Sequence, residues 1–418
     1  MVVAHLADLH LGYRAYHRML PGGINVRERD VAQAFRAALD RLIELKPNLI
    51  LIAGDVFHTV RPSNAAIADA FRQFARLRAA LPGAPIVMVA GEHDSPRSVE
   101  TGSILRLFAE IPGVHVMDQS ARVIYFEELG ASVLGVPHAA VHAGEQLALE
   151  PDVRAQVNVL MLHVDDVSQQ KLEFVSEYGG APFDLSALAA ERWDYVALGH
   201  YHVATQVKQN VWYAGAIERT SANIWRETSD KGFLSFDTET RAVRFHALET
   251  RPVIDLPRFS ARLDRAPAGR DQAPSTNGSS ADPLYQDAKD IDARIRALME
   301  SVPGGIEGKI VRLIVHDLPR DLFRELDHRA LREYRATALH FHLDARRPEP
   351  RHAGLIEGVG RRRTLEQEIE WYITEHWRPS SSDIEKSRLL DLAHLYLAET
   401  RSLGPSAEAD EPPPLSAE

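Results

Sequence analysis

The chain repeatedly sets ionisable side chains where an apolar run stops. Met1 to Leu6 is such a run, and Asp8-Leu9-His10-Leu11-Gly12 follows it. Leu49 to Ala53 leads into Gly54-Asp55-Val56-Phe57-His58, and Ile86 to Ala90 into Gly91-Glu92-His93-Asp94. Val157 to Leu162 ends on His163, and Tyr195 to Leu198 runs into Gly199-His200-Tyr201-His202. Short uninterrupted apolar runs read as buried strands. Open α/β sheets bind ligands outside the carboxyl ends of their strands. Five strand ends therefore present Asp, Glu and His toward what could be one point. In a chain with 19 histidines, any one of these stretches says little. Five of them in order, each at a strand-to-loop transition, argue together. Mixed carboxylate and imidazole donors suit manganese, iron or zinc better than calcium. Phosphate-ester hydrolysis on a pair of cations needs a bridging carboxylate. Asp55, at a strand end between the other candidates, is the natural bridge.

The bulk properties narrow the setting. The 418 residues imply two or three domains, and 45% hydrophobic content is enough for sizeable cores. There is no cysteine, which excludes disulfides and thiolate metal sites. A reducing compartment, the cytoplasm with its nucleoid, is the expected home. No apolar run approaches the length of a membrane span. Met1 leads into a strand without a basic segment, so no signal peptide is expected. The net charge of −11 argues against a surface coated for nucleic acid. It leaves room for a nucleic-acid enzyme, because bound cations and local arginines can carry phosphate contacts.

Residues 1 to about 250 alternate strand and helix, as βαβ units do. Arg27 to Leu45 has helical spacing, with Val31, Phe35, Ala38, Leu39, Leu42 and Ile43 on one face, and Lys46-Pro47-Asn48 stops it. Ser63 can cap a helix running through Ala80. From Val114 the strands come closer together (Val114 to Met117, Arg122 to Phe126, Ala131 to Val136), which suggests a second sheet. Phe233 to Phe236 and Ala242 to Ala247 look like that sheet's closing hairpin. A boundary falls near Thr250-Arg251-Pro252. Residues 251–350 read as a small α/β domain, with strands at Val253 to Leu256, Ile310 to Val315 and Ala338 to Leu343, and helices at Asp290 to Ser301 and Arg320 to Tyr334. Residues 265–283, rich in Ala, Pro, Ser, Asn and Gly, read as a disordered insertion. Two amphipathic helices close the chain within 351–403, at Thr364 to Trp377 and Asp383 to Glu399. The acidic, Pro-rich residues 404–418 read as disordered.

Asp-x-His, Gly-Asp-x-x-His, Gly-x-His-Asp, His and Gly-His-x-His, in this order, resemble the calcineurin-like metallophosphoesterases. His5-Leu6-Ala7-Asp8-Leu9-His10-Leu11-Gly12-Tyr13, with Ala53-Gly54-Asp55-Val56-Phe57-His58 and then Arg61-Pro62-Ser63, is similar to a narrower family. That family is the nuclease subunit of the double-strand-break repair complex, called meiotic recombination eleven in archaea and eukaryotes and SbcD in bacteria. The resemblance implies a two-sheet α/β sandwich, a small capping domain, and a C-terminal helical pair. It implies two divalent metal ions, usually manganese, and DNA exonuclease and endonuclease activity. Asp8, His10, Asp55 and His202 would hold one ion; Asp55, Glu92, His163 and His200 the other. His93 would stand uncoordinated near the leaving group, with Asp94 as its orienting partner, and His58 would approach the substrate phosphate. Tyr13, Arg14, His17 and Arg61 would touch DNA. Residues 364–399 would bind a coiled-coil ATPase of the SbcC type, and helices of the first domain would form a homodimer. The family has Asn where this chain has Glu92. The added anion leaves open a weakly active or non-catalytic DNA-binding scaffold, and a phosphodiesterase or phosphatase acting on small nucleotides at the same site also stays open.

Overall fold

The computed structural model describes residues 1–96, 102–143, 147–167, 180–186, 188–263, 284–348, 365–377 and 386–402. The insertion expected at 265–283 and the tail at 404–418 lie outside them. Met1–Pro348 and Glu349–Glu418 are two compact units.

Two six-stranded sheets organise the first unit. In one, β1 (Val2–Leu6), β2 (Leu49–Ala53), β3 (Ile86–Val89) and β4 (Val114–Met117) run parallel. In the other, β5 (Arg122–Phe126), β6 (Ala131–Val136), β7 (Val157–His163), β10 (Tyr195–Gly199), β11 (Thr205–Lys208) and β12 (Val211–Tyr213) lie in the order β11-β12-β10-β7-β6-β5. Between β7 and β10, β8 (Asp165–Asp166) and β9 (Pro182–Phe183) form a small ribbon, and a short α3 (His138–His142) follows β6. The hairpin β13 (Lys231–Asp237) and β14 (Val243–Leu248) corrects one expectation: it joins the first sheet, antiparallel to β1, and does not close the second. β4 is a second correction, since it pairs with β3 and not with β5.

Side chains of the first sheet alternate between two cores, as the strand period of two requires. Ala4, Leu6, Ile50, Ile52, Ile86 and Met88 face Val31, Phe35, Leu39 and Leu42 of α1 (Val26–Leu45) and Phe74 and Leu77 of α2 (Asn64–Ala80). Val3, Leu49, Leu51, Val87 and Val89 face the second sheet at Val133, Val159, Met161, Tyr195 and Ala197. Both helices are capped as short polar residues dictate. The Asn25 side chain accepts the Arg27 N–H, and the Ser63 hydroxyl accepts the Ala66 N–H. Lys46, in the left-handed region at φ 53°, ends α1.

His5 is a polar residue in the inter-sheet layer, 3.0 Å through Nδ1 from the Tyr195 hydroxyl. Burial pushes its imidazole down to about 3 from the ordinary 6.5. The native state keeps this histidine neutral, whereas the unfolded chain takes up a proton below 6.5. Stability is therefore complete above pH 6.5 and lost as pH falls toward 3, at about 1.4 kcal/mol per unit. In chelator, His5→Leu should lose about 1.4 kcal/mol less than the parent between roughly pH 7.5 and 5.5 in urea unfolding. An equal acid response in the two proteins would rule out a neutral buried His5.

After Thr250 the chain has its own sheet and core. β15 (Val253–Asp255), β16 (Phe259–Ser260) and β18 (His340–Ala345) all pair in parallel with β17 (Ile310–His316). α4 (Ala288–Glu300), α5 (Arg320–Glu325) and α6 (His328–Thr337) complete it. The single helix expected over Arg320 to Tyr334 is two. Leu326 takes an extended ψ of 156°, and the Asp327 carboxylate caps α6 by accepting from the Arg329 and Ala330 N–H groups. Two arginines join this part to the sheets. Arg251 grips Asp30 of α1 and the Gly308 carbonyl, and Arg18 donates to the carbonyls of Arg335, Ala336 and Ala338.

In the second unit, α7 (Leu365–Trp371) passes into a π-helical turn at Tyr372–His376, where a continuous α-helix was expected. α8 (Lys386–Ser402) packs beside it, with Lys386 Nζ donating to the Thr374 carbonyl at 2.7 Å. Ile373 is buried, while Tyr372, Leu392, Leu395 and Tyr396 are exposed. Among the described residues, no helix is long and apolar enough to cross a membrane.

Candidate metal centre

Each expected ligand follows a strand of one of the two sheets. Asp8 and His10 leave β1, Asp55 leaves β2 and Glu92 leaves β3; His163 ends β7, and His200 and His202 leave β10. The turns are sharp. Asp8, His10 and Asp55 hold φ of 51°, 45° and 51°, and His200 holds 107°. Non-glycine residues in that region are held there by their surroundings, and such strain collects at functional sites. Glycine is required at Gly54, where φ is 94° and a Cβ would stand 2.1 Å from His163 Nδ1.

The expected ligands fall in two groups on either side of Asp55, and His93 lies within reach of an ion shared with Asp55 and Glu92 or with His10 and His58. Asp8, His10 and His202 form one, with His10 Nε2 and His202 Nε2 only 3.0 Å apart. Glu92, His163 and His200 form the other. Glu92 Oε1 lies 2.7 Å from His200 Nδ1, and Oε2 lies 2.7 Å from His163 Nε2. Asp55 Oδ2 is 3.3 Å from His163 Nε2 and 3.9 Å from His10 Nε2. Glu92 thus turns into the cluster. The His163 Nδ1–H donates to the Ala53 carbonyl at 2.7 Å, which leaves Nε2 facing the carboxylates. Glu92 Oε2 and His163 Nε2 form a buried pair, and His200 Nε2 is buried without a hydrogen bond. Buried polar atoms are ordinarily paired. Several lone pairs aimed at common points, from oxygen and imidazole donors, fit divalent cations.

The electrostatics have the same origin. Burial pushes the Asp8 carboxyl up to about 6, against the pull of His163 and His202. Burial pulls the His163 imidazole down, but the Asp55 and Glu92 carboxylates outweigh it and hold it well above its ordinary value. Burial raises Glu92, and the His163 and His200 contacts more than reverse that. His10 falls well below its usual range through burial and the neighbouring His202, His93 and His58 rings.

His58 and His93 sit beside this cluster. Their rings stack at 5.3 Å, and each meets the His10 ring edge-on. His93 Nδ1 lies 2.7 Å from the His58 carbonyl, so that carbonyl orients the ring. Asp94 is turned to the backbone. Its carboxylate accepts the N–H groups of Val56, Phe57 and Gly91 at 3.0 to 3.2 Å, pinning the Asp55 loop to the Glu92 loop. Burial and the Asp55 charge push Asp94 up to about 7 against those three bonds.

The expected DNA contacts are more scattered. Tyr13 lies edge-on to His58 at 4.8 Å. Arg14 is exposed but donates to Glu28 at 2.8 Å. Arg61 is exposed near the start of α2, and His17 lines a cavity of about 660 Å³ with Tyr16, Arg18, Arg335 and His340. Sequence reasoning missed Glu227 and Lys231, both buried against His202. Their one signal is a pair of opposite charges four residues apart at the start of a buried strand.

Comparison with known proteins bears on the same residues. The calcineurin-like phosphoesterase family profile matches residues 1–204. The DNA double-strand break repair protein Mre11 of Methanocaldococcus jannaschii is 24% identical over 245 residues, 56% of this chain and 60% of that protein. Its namesake from Sulfurisphaera tokodaii is 29% identical over 206 residues, 48% of each chain. That from Methanococcus maripaludis is 33% identical over 113 residues, 27% of this chain and 28% of that one. The chain spans about half the length, or less, of most of the curated relatives it matches.

Proposed function

Residues 1–204 being a calcineurin-like phosphoesterase domain, we propose that the protein is a dinuclear metal-dependent DNA nuclease, acting as exonuclease and endonuclease in double-strand-break repair. The observation that carries this reading is the convergence of two ligand groups on Asp55. Asp8, His10, Asp55 and His202 would hold one ion, and Asp55, Glu92, His163 and His200 the other. Two such cations, manganese by resemblance, would supply an activated water and charge neutralisation on the phosphoryl group. The water oxygen bonds to phosphorus, the P–O bond to the leaving nucleotide breaks, and the leaving oxygen takes a proton. His93, oriented by its Nδ1 on the His58 carbonyl, would give up that proton. His58 lies beside it, where a substrate phosphate would dock.

Tyr13, Arg14, His17 and Arg61 would meet the DNA backbone, Arg14 by leaving Glu28. We read residues 251–350 as the capping domain and 351–403 as the binding region for a coiled-coil ATPase of the SbcC type. The exposed Tyr372, Leu392, Leu395 and Tyr396 support the latter. A homodimer through helices of the first domain and an association with the nucleoid complete the proposal. The test is a manganese-dependent assay on linear and circular DNA, with and without the ATPase. Cleavage of DNA in both forms is expected. Turnover of small nucleotide esters with none on DNA would favour the phosphodiesterase reading instead.

Glu92 supports a second reading, in which the site binds metal firmly but turns over slowly. Its two oxygens lie against two ligand histidines and add an anion where a phosphodiester must dock. Glu92→Asn should keep two ions and raise turnover on the order of tenfold, the effect of about 1.4 kcal/mol on the barrier. A fall in turnover would show that the chemistry uses the carboxylate.

A further inference from the structure

Two buried charges outside the ligand set converge on His202. Glu227 follows a turn at Ile224–Arg226, and Lys231 opens β13. They are 2% and 1% exposed. The Lys231 ammonium pairs with the Glu227 carboxylate and donates to the His202 carbonyl at 2.7 Å. The same carbonyl accepts the Ala216 N–H at 3.2 Å. Glu227 Oε1 accepts the Ser221 N–H at 3.0 Å and the Ser221 hydroxyl. That oxygen stands 3.7 Å from His202 Nδ1, longer than a direct hydrogen bond. The other ring nitrogen, Nε2, is the one that lies 3.0 Å from His10 Nε2.

Burying an ammonium and a carboxylate is costly, and a pair placed for stability alone is commonly replaceable by apolar side chains. Here both charges bear on one candidate ligand, one at its ring and one at its main chain. Partners of this kind fix the tautomer and orientation of metal-bound histidines.

We infer that Glu227 and Lys231 are positioning residues for an ion held by Asp8, His10 and His202. Glu227 favours the His202 tautomer with the proton on Nδ1, which turns the Nε2 lone pair toward the ion. Lys231 balances the Glu227 charge and anchors the His202 main chain. The inference rests on the reading that this trio holds an ion.

The experiment titrates metal-free full-length protein with manganese by calorimetry and with cobalt(II) by visible absorption. It compares the parent, His202→Ala, and the double variant Glu227→Gln with Lys231→Met, which leaves neither charge buried alone. Should the double variant not fold, Glu227→Asp takes its place, because it withdraws the carboxylate by one methylene and keeps the charge pair. The expected result is that one of two binding steps weakens by about 10–100-fold. The cobalt spectrum of that step changes, while the other step and the unfolding temperature in chelator hold. Two unchanged steps, or two steps weakening together with a loss of stability in chelator, would overturn the inference and leave the pair structural. If His202→Ala also leaves both steps intact, the ion-binding trio itself is wrong.

Discussion

Asp55→Ala should strip both ions from the protein and with them nearly all turnover. Asp55 Oδ2 is within 4 Å of imidazole nitrogens from both ligand groups, so its removal leaves each proposed ion short of a donor. The lost terms are the activated water and the neutralised phosphoryl, worth several kcal/mol together. At about 1.4 kcal/mol per decade, a fall on the order of 10⁴-fold or more follows. Asp55→Ala also deletes the acceptor of the His93 N–H, which Oδ1 holds at 3.0 Å. Asp55→Asn separates the two effects, because an amide oxygen can still accept that bond. Elemental analysis of both variants beside a DNA cleavage assay is the measurement. An Asp55→Ala protein that keeps two ions per chain would refute the bridge.

His93→Gln should behave in the opposite way, keeping both ions while turnover falls by about 10²–10⁴-fold, the usual worth of a positioned proton donor. Its Nδ1 is engaged by the His58 carbonyl, and its ring packs against His58 and His10. It also lies close enough to Asp55 and Glu92, and to His10 and His58, to share an ion with them, so the metal content of the variant decides between the two roles. A substrate with a good leaving group needs little protonation. The variant should therefore lose much less on an activated aryl phosphodiester than on DNA. A drop in bound metal would make His93 a ligand.

The ligands of this centre are legible in the sequence for a local reason. Asp8, Asp55, Glu92, His163 and His200 each leave a buried strand within a few residues, so a local apolar run marks the position of each. Asp94 shares that signal, but the signal does not mark its contacts to the backbone. Adjacency to His93 suggested a partner, but a carboxylate folded back on three backbone N–H groups is a feature of loop conformation, which adjacency does not encode. Glu227 and Lys231 were illegible for another reason. A pair of opposite charges four residues apart is ordinary on a surface, and only the pairing of β13 with β1 brings it under His202. The hairpin was misplaced on the same ground. Its strands and turn are local, but which sheet it joins depends on an edge more than 200 residues earlier in the chain. The break between α5 and α6 was local, and Asp327 as a cap was its overlooked mark.

Ligands enter the centre from both sheets: Asp8, His10, Asp55 and Glu92 from one, His163, His200 and His202 from the other. Cations shared across that seam would act as rivets between layers otherwise held by apolar contacts such as Val87, Val89, Val133 and Met161. A ligand that binds only the docked layers stabilises them by about 2.7 kcal/mol at a hundred times its dissociation constant. The free ion concentration around the protein would then govern how firmly its two halves stay closed, as well as how fast they work.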